Sequence, residues 1–387
     1  MRICPNKRIL VAAVVLTVVA TIICSSCKTG KQPPRIDIGL EWPMYLHDHL
    51  NSGKNETNMR IPKKKIWEKR IREPEEKIEQ VTIPIVYRGK VFFYGQDGFI
   101  RALYLGDGSE AWNVGPNYGG GVAPCGNDGK VFFEGGFIYA GYADKNKEVW
   151  VARAGGGVTT PLVSFGDRLY YGTNSGYLYS ISVINGRAFW KTKLNGLSQV
   201  APCVAQGKVF IPSGGGEEGD QRVYCVDTKK GNILWESNIP GNESASSIVY
   251  ENERVYFGDD WGVAFCLDAN NGNKIWSSEL GDTLETPVLL GDKIVFAGLL
   301  GSIRCLDKHS GQILWSISQS ENITTPIVAT RSFAVFGTEG GNLKFIDPNS
   351  GESVHDIKLP GKPVSIAVAK DRIVVGTEEG SVICLGR

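Results

Sequence analysis

Between residues 285 and 319, short apolar runs alternate with Gly-centred turns. Glu285 to Leu289 reads as a first strand and Gly291-Asp292 as a turn. Lys293 to Ala297 is a second strand, rich in β-branched and aromatic residues. Leu300-Gly301 turns the chain, Ile303 to Leu306 is a third strand, and Ser310-Gly311 leads into a fourth that ends at Trp315. This pattern predicts one antiparallel four-stranded sheet. Such a sheet cannot bury both faces alone, so like sheets must stack on it.

The same plan recurs over 82–114, 122–154, 159–195, 200–240, 244–281, 285–319 and 324–360, and an incomplete copy runs from Val364 to Arg387. Trp67, Trp112, Trp150, Trp190, Trp235, Trp276 and Trp315 mark the fourth strands at spacings of 45, 38, 40, 45, 41 and 39 residues. Gly108, Gly186, Gly231, Gly272 and Gly311 precede their Trp by four positions, and Asn146 holds that place before Trp150. Gly and Asn are the residues that enter positive φ most cheaply. A strand-rich period near forty predicts an all-β β-propeller with one blade per repeat. The last copy lacks its outer strand, and Lys65-Ile66-Trp67-Glu68-Lys69 has the form of one. Residues 61–72 are therefore expected to complete an eighth blade and close the ring, removing an open sheet edge. His355 stands where the seventh repeat would carry its Trp, and looser packing is expected there. Asp227, Asp268, Asp307 and Asp347 each lie four residues before a turn Gly. Recurrence in successive blades assigns these carboxylates to turn hydrogen bonds rather than to calcium.

Thr325-Pro326-Ile327-Val328, Gly166-Asp167-Arg168-Leu169-Tyr170-Tyr171-Gly172 and Gly231-Asn232-Ile233-Leu234-Trp235 fall in register with one another's repeats. They resemble the quinoprotein-type (PQQ-like) propeller repeat, and the resemblance covers about 61–387. Trp42-Pro43-Met44-Tyr45 with Gly53 also resembles the segment that often precedes such propellers. The resemblance implies two contrasting activities. Quinoprotein dehydrogenases hold PQQ and calcium over the propeller axis, with an Asp base and adjacent cysteines beneath the cofactor. This chain has no Cys-Cys pair and no length to spare for the loops that build such a pocket. Its size and leader resemble instead the lipoprotein subunits of the outer-membrane β-barrel assembly machinery, which implies protein partners and no cofactor.

Arg2, Lys7 and Arg8 precede an apolar run from Ile9 to Ile23, which suits a secretory signal. Ser25-Ser26-Cys27 resembles a lipobox with Cys24 in place of the usual Leu, so Cys27 is expected to be the lipidated mature N-terminus. The expected domains are a signal peptide over 1–26, a tether and lead-in over 27–60, and the propeller over 61–387. Loss of Arg2, Lys7 and Arg8 takes the formal charge from +1 to −2, leaving no basic field for nucleic acid. Lys63-Lys64-Lys65 is answered by Glu73, Glu75, Glu76 and Glu79. Cys125 and Cys203 sit in first strands, and Cys225, Cys266, Cys305 and Cys384 share one place in third strands. Equivalent places in different blades are too far apart for disulfides, so these cysteines are read as small buried hydrophobes. The only CxxC, Cys24-Ser25-Ser26-Cys27, lies in the leader, and no His–Cys cluster stands elsewhere in the sequence, which argues against a structural zinc site.

These readings favour a non-enzymatic envelope scaffold: a monomeric ring on a lipid anchor at the periplasmic face of the outer membrane, binding protein partners. The alternatives are a PQQ-dependent enzyme and a small-ligand sensor. Asp259-Asp260-Trp261-Gly262 places a Trp outside the repeat register, either as a partner hot spot or as a cap on a neighbouring blade. The insertion Ser213 to Asp220 is acidic, and either binds a cation or partner or is simply solvated. Gly119-Gly120-Gly121 is read as serving close backbone approach rather than phosphate, since no helix follows it. Thr160, Ser246, Thr286, Thr325 and Ser365, with Glu285 alongside, open the first strands and are expected to line an axial funnel. It holds either a ligand or only water.

Overall fold

The computed structural model describes residues 41–71, 83–95, 97–115, 121–214, 221–239 and 245–387. The signal segment, Cys27, the glutamates from Glu73 to Glu79, Gly119-Gly120 and residues 215–220 lie outside them. Strands make up every regular element among the described residues. They form eight antiparallel blades. Blade 1 is Ile85–Tyr87, Lys90–Tyr94, Ile100–Tyr104 and Glu110–Val114, in order from the inner to the outer strand. The next six blades repeat this order through Ser353–Lys358. Blade 8 consists of Pro363–Ala369, Arg372–Thr377 and Ser381–Gly386, with Lys64–Arg70 as its outer strand. The register runs from Lys64 opposite Gly386 to Arg70 opposite Ser381. The ring is thus closed by the two ends of the repeat region.

Middle strands are buried on both faces, as in Lys90–Tyr94 and Arg168–Gly172, because neighbouring blades cover each side. Outer strands alternate, burying the Trp and exposing its neighbours, as in Ala188–Lys193. One departure from four strands occurs in blade 7, where Lys54–Asn55 adds a short parallel strand beside Val328–Thr330.

The blades interlock through the marker Trp residues. Each ring lies beneath the turn between the third and fourth strands of the next blade. A Cβ at Gly108 would stand 2.6 Å from the Trp67 ring, and one at Gly311 would stand 2.7 Å from Trp276. Gly186, Gly231, Gly272 and Gly351 meet Trp150, Trp190, Trp235 and Trp315 in the same way. The glycine therefore has two reasons to be there: a φ near +75° and a ring against its α-carbon. Most indole N–H groups donate to a turn carbonyl of the next blade, such as Trp67 to Leu105 (2.9 Å) and Trp276 to Lys308 (3.0 Å). Trp315 Nε1 is buried without such a partner. At blade 7, His355 tilts against Phe345 at 6.2 Å. Blade 8 takes its outer strand from the other end of the repeat region, so no turn of the usual kind is there to receive an indole.

The turn carboxylates hold backbone. Asp227 Oδ1 accepts the N–H groups of Lys229 (3.0 Å) and Lys230 (2.6 Å). Asp268 and Asp307 act likewise, and Asp347 accepts from Asn349.

Candidate functional site

Residues 41–57, expected only to lead into the ring, contact the innermost strands of all eight blades in chain order. Trp42 exchanges two hydrogen bonds with Val86, both 2.8 Å, in blade 1. Pro43 accepts from Gly126 of blade 2 (2.7 Å), and the Met44 sulfur lies 3.9 Å from Ser164 Oγ of blade 3. His49 accepts from Val204 of blade 4 (2.6 Å) and Leu50 from Tyr250 of blade 5 (3.4 Å). Gly53 lies against Val288 of blade 6 and accepts from Ala329 of blade 7 (2.9 Å). Asn55 Nδ2 donates to Val368 of blade 8 (2.8 Å). Asp48 clasps the bend. Its carboxylate accepts from the N–H groups of Leu50 and Ser52, both at 3.0 Å, and from Ser52 Oγ at 2.7 Å. Burial opposes ionisation of Asp48, but His47 and these donors outweigh it and hold its pKa below the usual carboxylate value.

The polar residues that open the first strands are buried and mostly engaged within the ring. Thr160 Oγ1 accepts from Gly172 N (2.9 Å) and donates to the Pro161 carbonyl (3.1 Å). Thr325 does the same with Gly337 and Pro326. Ser246 accepts from Gly258, and Thr286 accepts from Ser247 of the preceding blade. These hydroxyls thus fasten the starts of first strands to the second strands of their own blades, and Thr286 links its blade to the preceding one. Ser365 Oγ is buried without a partner. Burial raises the pKa of Glu285, and the carboxylate in turn adds to the upward shift of the largely buried Tyr45 phenol.

The irregular hairpins give a different surface. In blade 5, Asp259 Oδ1 accepts from Trp261 N (3.1 Å) and Val263 N (2.7 Å). Asp259 is fully buried, so it positions the turn from beneath and cannot itself touch a partner. Burial raises its pKa against those two donors. Asp260 contributes its carbonyl to Thr283 Oγ1 at 3.1 Å. Trp261 projects from this braced turn with 56% of its surface exposed. Leu300, 72% exposed, tops the equivalent hairpin of blade 6. Its N–H is held by Asp282, which also accepts from Ser302 Oγ at 2.8 Å. The sequence placed Leu300 in a turn with Gly301, but a single Leu in a turn carries no sign of how far its side chain stands exposed. The matching hairpins of blades 7 and 8 carry Glu339, Glu378 and Glu379. Exposed apolar side chains thus top the hairpins of blades 5 and 6, and glutamates stand on those of blades 7 and 8, where Glu378 pairs with Lys362 at 3.1 Å.

The six described cysteines are free and buried. Burial pushes Cys225, Cys266 and Cys384 up to about 12 and Cys305 up to about 11. Such thiols carry almost no thiolate at neutral pH. Among the described residues, no three His, Cys, Asp or Glu side chains converge as metal ligands.

An all-β ring of eight stacked blades built on this repeat is a PQQ-like β-propeller. The family model described as outer membrane protein assembly factor BamB matches residues 134–219 and 219–365, and the chain belongs to this family. BamB of Moranella endobia is 26% identical over 238 residues, which is 56% of this chain and 59% of that protein. The match thus spans less than two thirds of that relative. A tetrathionate hydrolase of Acidithiobacillus ferrooxidans is 25% identical over 201 residues, 44% of this chain and 39% of the hydrolase. The crystal structure of BamB from Moraxella catarrhalis superposes with a TM-score of 0.66 at 17% identity, covering 84% of this chain and 99% of that one. A europium-containing methanol dehydrogenase superposes with a TM-score of 0.73 at 11% identity, covering 92% and 99%. At such identities both superpositions establish the fold alone.

Proposed function

We propose that this chain is a non-enzymatic, protein-binding subunit of outer-membrane protein assembly, exported and held at the cell envelope by a lipid on Cys27. The observation that carries the reading is the family match over more than half of the chain to a model described as an outer membrane protein assembly factor. The site chemistry supports it. The ring offers rigid turns with an exposed Trp261 and Leu300, and rigid surfaces lose little entropy on binding. Thr160 and Thr325 hold backbone with their hydroxyls, and the described thiols are buried and free of disulfides. The dehydrogenase neighbour shares the fold, and the chain lacks the adjacent cysteines that the resemblance to such enzymes would require.

The test is purification of the full-length, tagged protein from detergent-solubilised membranes, followed by mass spectrometry. The barrel subunit of the outer-membrane assembly machinery should copurify with the wild-type chain. Cys27→Ala should leave the membrane fraction or retain its leader. Copurification of unrelated envelope proteins with no assembly component would sink the reading.

A further inference from the structure

Six of the seven marker Trp rings are closed over by a turn glycine of the next blade. Trp112 is the exception. Its neighbour, blade 2, turns through Asp144-Lys145-Asn146-Lys147, and Asn146 Nδ2 reaches back to the Asn113 carbonyl at 3.0 Å. Trp112 is half-buried, as Trp235 and Trp315 are, and its N–H donates to the Ala143 carbonyl at 3.3 Å. A recess of about 120 Å³ opens over it, lined by Trp112, Ile100, Phe133, Tyr139, Gly141 and Tyr142 among others. The apolar surface continues past the recess. Phe137 lies 6.3 Å from the Tyr139 ring and Val151 pairs with Tyr139 across the strands, each 42% exposed. Lys145 and Lys147 stand at the rim, exposed and without a carboxylate partner among the described residues, beside the exposed Glu148. The Lys145 ammonium lies 4.6 Å from the Tyr142 ring centre.

We propose that this recess between blades 1 and 2 is a second docking site. It takes a segment of a partner protein that presents one aromatic or branched aliphatic side chain beside a carboxylate. The inference rests on the protein-binding reading but uses none of the Trp261 surface. A cavity near 150 Å³ holds one benzene ring, so the volume fits one side chain. The floor is apolar and the rim offers two ammonium groups with no carboxylate partner among the described residues, which selects an anchor flanked by acid. The exposed Phe137 and Val151 extend the patch beyond what a small ligand covers, which favours a polypeptide.

The test uses the full-length protein in detergent and a fluorescein-labelled peptide of Gly, Asp, Phe, Glu and Gly, read by anisotropy. Gly141→Phe fills the recess; a Cβ there meets nothing closer than the Lys147 carbonyl at 3.8 Å. It should weaken the peptide about tenfold or more while leaving the melting temperature unchanged or raised. The exposed double variant Lys145→Glu/Lys147→Glu keeps the fold and should also weaken it, as should added salt. A peptide with Lys in both acidic places should bind less well than the parent. Undiminished binding to both variants would overturn the proposal. So would equal affinity for the lysine peptide, or for phenylacetate alone, which would make this a small-molecule site. Copurification of the assembly machinery is scored separately, so its failure and failure of this peptide assay are distinguishable.

Discussion

At the residue scale, the ring depends on one repeated contact, an indole face against a glycine α-carbon. Trp276→Ala should destabilise the protein by about 3–5 kcal/mol, as large aromatic truncations in cores do, and chemical denaturation would measure it. Gly311→Ala should also destabilise, by about 1–3 kcal/mol, since it clashes with Trp276 and forces a Cβ into positive φ. A neutral Gly311→Ala would mean the turn is not packed on that ring. The spacing of Trp and Gly was plain in the sequence, but the second role of the glycine was not. The ring it touches comes from the preceding repeat, and a one-repeat pattern shows only the turn. The cysteines make a residue-scale prediction with a sign. Their thiols are held protonated by burial, so above the unfolded thiol pKa of about 8.5 the native state binds more protons than the unfolded one. Stability should therefore fall as pH rises from about 8.5 toward the folded values near 12. Maleimide labelling mapped by peptide should leave Cys225, Cys266 and Cys384 unmodified in the native protein at pH 8 and fully modified in denaturant. Rapid native labelling would contradict their burial.

Two elements hold the ring that no single blade could. One is Lys64–Arg70, which completes blade 8 and delivers Trp67 beneath Gly108 of blade 1. Its place was legible because an orphan strand with a Trp and a repeat lacking its outer strand complete each other. Deleting 61–72 should open the ring and lower the melting temperature sharply; an unchanged melt would rule out closure by this strand. The other is the segment 41–57, and it was not legible. It has no period, and its contacts are spread over every blade. Those contacts mix backbone carbonyls with the side chains of Met44, His49, Asn51 and Asn55, and positive φ falls at Leu46, His47 and Asn51, positions that carry no turn-forming Gly. Asp48→Ala removes the clasp and should cost about 1–3 kcal/mol, the range for hydrogen bonds to a charged acceptor. Because the folded pKa of Asp48 is lowered, its contribution is present above the ordinary carboxylate value near 4 and lost as pH falls through and below it. The stability difference between wild type and Asp48→Asn should accordingly shrink in acid melts below about pH 4. A difference that stays constant down to pH 2 would show that the charge on Asp48 is not what holds the bend.

For the whole molecule, the question is whether the propeller presents a reactive centre or a surface. Its interior is committed to itself. First-strand hydroxyls cap backbone, turn carboxylates hold turns, thiols stay protonated, and residues 41–57 hold the inner strands. Free apolar surface lies on the hairpins of blades 5 and 6 and over the recess between blades 1 and 2. Trp261 was legible as an off-register Trp, but Leu300 read only as a turn residue, since the pattern does not show how far a turn side chain stands out of the surface. Both side chains top turns that are fixed from below by Asp259 and Asp282, so truncating them removes contact surface and little else. Trp261→Ala/Leu300→Ser should therefore melt nearly as the wild type does while weakening capture of the proposed assembly partner about tenfold or more, the scale of a hot-spot aromatic. Capture would be compared in copurification from membranes, with the melt of each purified protein recorded alongside. Equal capture by both forms would remove these hairpins from the partner surface, and dye-linked oxidation of an alcohol or sugar in the presence of PQQ and calcium would overturn the non-enzymatic reading itself.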